Sequence, residues 1–284
     1  MRKPRTEKTK TEKQVTEINS NVFFKEFTFS ENDFRENVTN QKLEFADNVI
    51  WIDEILFVFQ IKDRENINQD DIKWFNNKIL KKAVSQIKDT LKYMSDYPEV
   101  IIENEKGHKL DIIKANNCQN IKKIIVYTPS PDFPENLRNE KFYNSQKIGL
   151  VHLFHSEDYY WICKYLLTPS EIEEYLDFRE KLYLANINNS SLLPEQYFLS
   201  HFMETLDISH LNPKCIENLT KIPNDNQEFD LTLFLNTITG NFSGLSFNEE
   251  YYPIIREIAK LNRTELIEFK KRFKKSMEKC DDKI

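Results

Sequence analysis

Residues 44–62 read Glu44-Phe-Ala-Asp47-Asn-Val-Ile-Trp-Ile52-Asp53-Glu54-Ile55-Leu-Phe-Val-Phe-Gln60-Ile61-Lys62. Two apolar runs, 49–52 and 55–59, flank the polar pair Asp53-Glu54. Both are rich in β-branched and aromatic residues, which suit a buried pleated surface. A hairpin that turns at Asp53-Glu54 sets Ile52 opposite Ile55, Asn48 opposite Phe59 and Asp47 opposite Gln60. Opposed residues point to one face with Cβ atoms roughly 5 Å apart, and strand alternation adds Lys62, two positions beyond Gln60. A carboxylate, an amide and an ammonium therefore converge at the open end of the hairpin. Charged residues are also common where strands leave a core, so the same three positions read as plain strand ends too. Asp-Glu lacks the glycine that tight two-residue turns prefer. A one-residue slip of register would send the three groups to different faces.

Outward from the hairpin, strand-like and helix-like stretches alternate. Residues 22–29 read as a strand or a helix-to-strand entry, and a long helix is expected from about 70 to 94. Asp70 and Asp71 in its first turn and lysines in its later turns suit the helix dipole. Strands are expected at 100–103, 109–113, 123–127 and 149–154, and helices at 157–167 and 169–183. Thr168 is a candidate N-cap, with Glu171 completing a capping-box pattern. Residues 186–191 look like a linker, and helices follow at 195–206, 231–237, 249–261 and 264–279, the last capped by Asn262. The chain thus reads as α/β (α+β), with a mixed central β-sheet flanked by helices and a mainly helical C-terminal region. Its divisions are a disordered basic arm over 1–20, a sheet-bearing domain over 21–185 and the helical region over 190–284.

Composition removes several function classes. With only four glycines, Gly107, Gly149, Gly240 and Gly244, the chain holds neither a glycine-rich phosphate loop nor a dinucleotide fingerprint. Cys118, Cys163, Cys215 and Cys280 are scattered without C-x-x-C spacing, which argues against a structural zinc site and a disulfide framework and suits a reducing cytoplasm. The basic N-terminus has no apolar run behind it, so it is not a secretory signal. No stretch approaches the ~20 apolar residues of a membrane helix. The net charge of −6 is unevenly spread: residues 1–20 carry +3, residues 256–279 carry +5, and the chain between them carries −13.

An Asp at the end of one strand, followed by a hydrophobic strand that closes in (Asp/Glu/Gln)-x-Lys, resembles the PD-(D/E)XK nuclease superfamily. Asp47, Gln60 and Lys62 match its motif, with Gln in place of the second acid as in the Mrr-like branch. The helix after Arg64 carries Trp74, Lys78, Lys81, Lys82, Ala83 and Gln86. An inward Gln just after the motif strand is similar to the RecB-like and NERD-like branches, although Thr90 stands where their Q-x-x-x-Y pattern has Tyr and the nearest Tyr is Tyr93. The resemblance spans residues ~20 to ~130. It implies a restriction-endonuclease-like core and a metal-dependent nuclease acting on DNA ahead of RNA, in prokaryotic restriction or anti-phage defence. Mg²⁺ (or Mn²⁺) would be held by Asp47, Gln60 and the Ile61 carbonyl, with Glu44 as a further shell carboxylate and Lys62 at the attacking water. Lys78, Lys81, Lys82 and Gln86 would face nucleic acid, and a partner protein or a second copy would complete the assembly. The same fold without catalysis, used as a nucleic-acid- or protein-binding module, is the alternative.

Other constellations carry less. His152 and His155 stand as H-x-x-H beside Glu157 and Asp158, but on a strand they face opposite sides. The Tyr159-Tyr160-Trp161 and Tyr251-Tyr252 clusters read as packing more readily than as base-stacking platforms. Glu26, in a Phe-rich run, is a candidate for the acid that the superfamily often places on its first helix. In the C-terminal helix, Ile258, Leu261, Leu266, Phe269 and Phe273 fall at near-helical spacing, with lysines on the other faces.

Overall fold

The computed structural model describes residues 7–35, 40–64, 70–97, 100–118, 120–190, 193–210, 213–219, 231, 234–235, 237–238 and 250–281. The hairpin forms as its sequence requires: β4 (Asn48–Ile52) and β5 (Ile55–Asp63) pair antiparallel, with Asn48 opposite Phe59 and Ile52 opposite Ile55. Asp53 makes the turn without glycine by adopting φ +50°, a left-handed conformation that Asp tolerates better than most residues.

Eight strands form one mixed sheet. In chain order they include β1 (Thr28–Glu31), β6 (Ile101–Asn104), β7 (Lys109–Asp111), β8 (Ile121–Thr128), β9 (Phe142–Ser145) and β10 (Gly149–His155), and in space the order is β7-β6-β1-β4-β5-β8-β10-β9. β5 and β10 flank β8 in parallel, whereas the remaining pairs are antiparallel. A separate ribbon pairs β2 (Asp33–Arg35) with β3 (Lys42–Glu44), and a short helix, α4 (Glu135–Arg138), lies between β8 and β9 in the chain. β9 and this ribbon have no counterpart in the sequence reading, since runs of three or four residues give too short a periodic signal.

Both faces of the sheet are covered, which is why β4 and β5 read as nearly continuous apolar runs. Phe57, Phe59 and Ile61 point to one face, into a cluster shared with α1 (Lys10–Val22), α5 (Ser156–Leu166) and α6 (Pro169–Ala185). The opposite face carries Leu56 and Val58, then Ile125 and Tyr127, beneath one long helix. That helix runs through α2 (Asp71–Trp74), a π-helical stretch (Phe75–Ala83) and α3 (Val84–Asp96). Its side chain of Thr90 donates to the Phe45 carbonyl, so the helix is anchored two residues before Asp47.

Residues 10–20 are not a disordered arm. They form most of α1, whose start carries a reciprocal capping box between Thr9 and Glu12. Few apolar residues were needed, because Val15 is buried and buried Asn19 ties three elements together. Asn19 donates to Asn48 Oδ1 at 2.8 Å and accepts from the Tyr159 hydroxyl at 2.6 Å, while its carbonyl accepts from Thr28. Polar burial of this kind leaves no hydropathy signature. Residues 1–6 lie outside the described residues.

The C-terminal region shares this core. The stretch at 186–190 continues as a short helix, α7 (Ile187–Ser190), and α8 (Glu195–Glu204), α9 (Ile216–Leu219), α10 (Tyr252–Ala259) and α11 (Arg263–Asp281) follow. Phe198, Leu219, Ile255, Ile258 and Leu266 pack into the same apolar cluster as Ile50 and Phe57. Of the helix expected at 231–237, residues 234, 235 and 237 are helical and 231 is not, while 232, 233 and 236 lie outside the described residues, as does Glu249. Asn262 caps α11 reciprocally, accepting from the Glu265 amide at 3.1 Å while donating its own to the Glu265 carboxylate at 3.0 Å. Among the described residues no helix is long and apolar enough to cross a membrane.

Candidate active site

The hairpin ladder ends where the candidate site begins. The Asp47 amide donates to the Phe59 carbonyl at 3.2 Å, and its side chain takes over the next position, accepting from the Ile61 amide at 2.6 Å. The carboxylate thus stands in for a strand and is fixed by backbone. Gln60 and Lys62 follow on the face that Leu56 and Val58 set. The Lys62 ammonium lies 3.1 Å from Asp47 Oδ2, 3.2 Å from Gln60 Oε1 and 2.9 Å from the Ile61 carbonyl. Three oxygens of three kinds therefore converge on one cation. Asp47 is 5% exposed, Gln60 1% and Lys62 9%, so their interaction is screened less than a surface pair would be.

The cluster sits at the carboxyl end of parallel strand β5, with Lys62 beside Tyr127 of β8. Crevices at this end of parallel strands are where α/β sheets bind ligands. Polar groups continue around it. Asp63 accepts from the Thr11 amide at 3.1 Å and from the Thr11 hydroxyl, which also meets the Thr128 hydroxyl at 2.7 Å. Arg64 is ion-paired with Asp71, donates to Ser130 at 2.7 Å and lies over the Trp74 ring at 6.0 Å. Thr11, Asp63, Arg64 and Asp71 were not foreseen as neighbours of the site. Asp63 and Arg64 directly follow Lys62, and Asp71 opens the expected long helix, whereas Thr11 lies in the stretch read as a disordered arm and is brought in by α1.

No protein-family model, characterised protein or solved structure gives a significant match to this chain. The site therefore stands on its own chemistry. Asp47, Gln60 and the Ile61 carbonyl form an all-oxygen donor set of the kind a hard cation takes. Among the described residues no group of three or more His, Cys, Asp or Glu side chains could hold a metal ion. A cation here would depend on the amide and the carbonyl as well as on Asp47, and would require the Lys62 ammonium to leave them.

The other expected site residues fall in different places. Glu44 is half-buried at the end of β3, on the small ribbon and opposite Asp33. Lys78, Lys81 and Lys82 are exposed on the long helix. Gln86 is half-buried, and its Oε1 is buried with no hydrogen-bond partner among the described residues. Glu26 accepts from the Tyr251 hydroxyl at 2.8 Å and lines a pocket with Trp51 and Asp53. That places it at the turn end of the hairpin, roughly 20 Å along the strands from Lys62. Its carboxylate docks the C-terminal helices and does not join the site.

His152 and His155 likewise separate, as strand alternation demands. His155 caps α5 through its own ring. His152 is fully buried on the opposite face, with its Nε2 2.8 Å from Glu180 Oε1 and its Nδ1 3.2 Å from Arg179. Arg179 can only donate, so the neutral ring accepts at Nδ1 and donates at Nε2. Burial pushes the His152 pKa down to about 4 despite Glu180, and burial with Arg138 nearby does the same for His155. Stability from such neutral histidines is complete above the unfolded value of ~6.5 and is lost as pH falls from there towards 4, because the unfolded chain takes up protons first. Glu180, opposed by burial but held near 2 by His152 and Lys122, adds stability that is complete above about 4.5 and is lost only as pH falls from there towards 2. Urea unfolding at pH 6.5 and pH 5 should show proton uptake on unfolding, and His152→Gln should remove about one of those protons. An unchanged pH dependence in that variant would mean that His152 is not held neutral.

Proposed function

We propose that the chain is a metal-dependent nuclease of the PD-(D/E)XK type, hydrolysing phosphodiester bonds of DNA ahead of RNA, in the cytoplasm and in the service of restriction or anti-phage defence. The observation that carries this reading is the convergence of Asp47 Oδ2, Gln60 Oε1 and the Ile61 carbonyl on the Lys62 ammonium, at the carboxyl end of a parallel strand.

Phosphodiester hydrolysis needs an activated water and compensation for charge that builds on the phosphoryl oxygens. Bound Mg²⁺ or Mn²⁺ would supply Lewis acidity and a lowered pKa of water. Asp47, locked by the Ile61 amide, holds a negative charge at a fixed point, and Gln60 and the Ile61 carbonyl orient neutral oxygens toward it. Lys62, freed from those oxygens, is the group within reach of a phosphoryl oxygen, where it donates a hydrogen bond and offsets developing charge. The covering helix keeps this end of the sheet poor in water.

The test is cleavage of duplex DNA, single-stranded DNA and RNA with Mg²⁺ or Mn²⁺, each against a chelator control. Cutting that survives chelation would remove the metal from the reading. Restoring a carboxylate sharpens the case for the donor set. Gln60→Glu should tighten Mn²⁺ binding about tenfold in titration calorimetry, equivalent to ~1.4 kcal/mol, because a neutral donor becomes charged. Unchanged affinity would exclude Gln60 from the donors.

One observation favours the non-catalytic alternative. The three oxygens are already satisfied by the protein's own ammonium, and the set contains a single carboxylate. In that reading the protein associates with nucleic acid or a partner protein, and no metal brings about cutting.

A further inference from the structure

The long helix that covers the site-bearing face also forms one wall of a groove of about 520 Å³. Lys81, Ser85 and Lys88 line that wall, and Tyr143, Ser145 and Lys147 line the other, along edge strand β9 and its turn. None of Asp47, Gln60 and Lys62 lines it, and neither does any carboxylate. All three lysines are exposed, and among the described residues none of them is in an ion pair. Such a concentration of unpaired cations runs against the acidic average of the chain, whose net charge is −6.

The helix is shaped for this arrangement. Its π-helical stretch bonds five residues ahead, which stacks Asn76, another lining residue, against Lys81. From Lys81 onward α-helical spacing takes over, and Ser85 and Lys88, at four and seven residues, stay on the same side. Lys81 and Lys88 are therefore spaced roughly 10 Å along the axis. Hydroxyls of Ser85, Tyr143 and Ser145 lie between the charges as neutral donors.

Ammonium groups on both walls with neutral donors between them match a chain of phosphates, which is bound by lysines, hydroxyls and amides without reading bases. We infer that this groove binds the phosphodiester backbone of a nucleic-acid strand, as a site separate from the Asp47–Gln60–Lys62 cluster. The choice of a phosphodiester among polyanions rests on the nuclease reading; the charge arrangement does not.

The test measures binding by the metal-free full chain, with chelator present, to labelled single-stranded and duplex DNA across a salt series. The parent should bind both. The variant K81E/K88E/K147E should bind at least tenfold more weakly, and its log–log salt slope should be shallower by about 2 on single strands and by nearly 3 on duplex. The milder K81Q/K88Q/K147Q should move in the same direction and covers the case in which charge reversal disturbs folding. Failure of the parent to bind DNA, or parental affinity and slope in the glutamine variant, overturns the inference. Weakened binding by these variants, in a protein that never cuts with Mg²⁺ or Mn²⁺, upholds the groove and removes the nuclease reading. Cutting by the glutamine variant with parental kcat/KM does the reverse.

Discussion

Asp47→Asn and Lys62→Met should each lower metal-dependent cleavage by about 100-fold or more, the range seen when a charge-stabilising or proton-transferring group is removed. Both substitutions keep the shape of the side chain, so the loss reports chemistry. Asp47→Asn retains an oxygen for the Ile61 amide, which donates at 2.6 Å, but loses the negative charge. Lys62→Met keeps the methylene stem in its buried position and removes the ammonium that three oxygens surround. Alanine at either position is a poorer test. It would leave one member of a nearly buried ion pair unmatched, and part of any loss would then be unfolding. If the three residues are merely strand ends, activity should follow thermal stability across the set. Parental rates in Asp47→Asn would end the nuclease assignment.

The largest effect on stability should come from a different place, the buried pair Arg179–Glu195 that joins α6 to α8. Arg179 is fully buried and Glu195 nearly so. The guanidinium donates to both Glu195 oxygens, at 2.7 and 2.9 Å, to the Lys141 and Leu153 carbonyls at 3.0 Å each, and lies 4.0 Å from the Phe154 ring centroid. Tyr175 donates to the same carboxylate. Burial alone would raise the Glu195 pKa, yet Arg179 and its hydrogen bonds hold it below the usual carboxylate range. Arg179→Met strands this carboxylate, and Glu195→Leu strands the guanidinium. Each should cost about 3–5 kcal/mol, which for a chain of this size corresponds to a fall in Tm on the order of 10 °C. The double variant Arg179→Met/Glu195→Leu should recover much of that loss, since apolar groups of similar volume can replace a buried pair at little net cost. Additive losses in the double variant would show that the partners act independently. Denaturant unfolding of the four proteins decides between these outcomes.

The two regions differ in what they ask of the sequence. The Asp47–Lys62 cluster was legible because every member lies within one hairpin. Its geometry follows from local rules: apolar runs fix the strands, alternation fixes the face, and the register fixes which residues meet. The strand pairing of Asn48 with Phe59 and Ile52 with Ile55 is the expected one. The long helix after Asp70, the capping of α6 by Thr168 and the capping of α11 by Asn262 are likewise local and likewise present.

What the tertiary structure alone decided is every arrangement that joins distant segments. α1 is poor in apolar residues, and its place depends on Asn19 meeting Asn48 and Tyr159, 29 and 140 residues away. Glu26 is a candidate for the superfamily's first-helix acid in spite of its strand-like context, but Tyr251, 225 residues further on, claims its carboxylate. The groove between Lys81, Lys88 and Lys147 exists only because β9 closes the sheet edge opposite the helix. The sequence by itself determined the hairpin, its register and the convergence of Asp47, Gln60 and Lys62, because period-2 alternation acts between neighbours. Which face the long helix covers, which charges are buried in pairs and which lysines line a groove were decided by packing, because burial and ion pairing depend on residues that only the folded chain brings together.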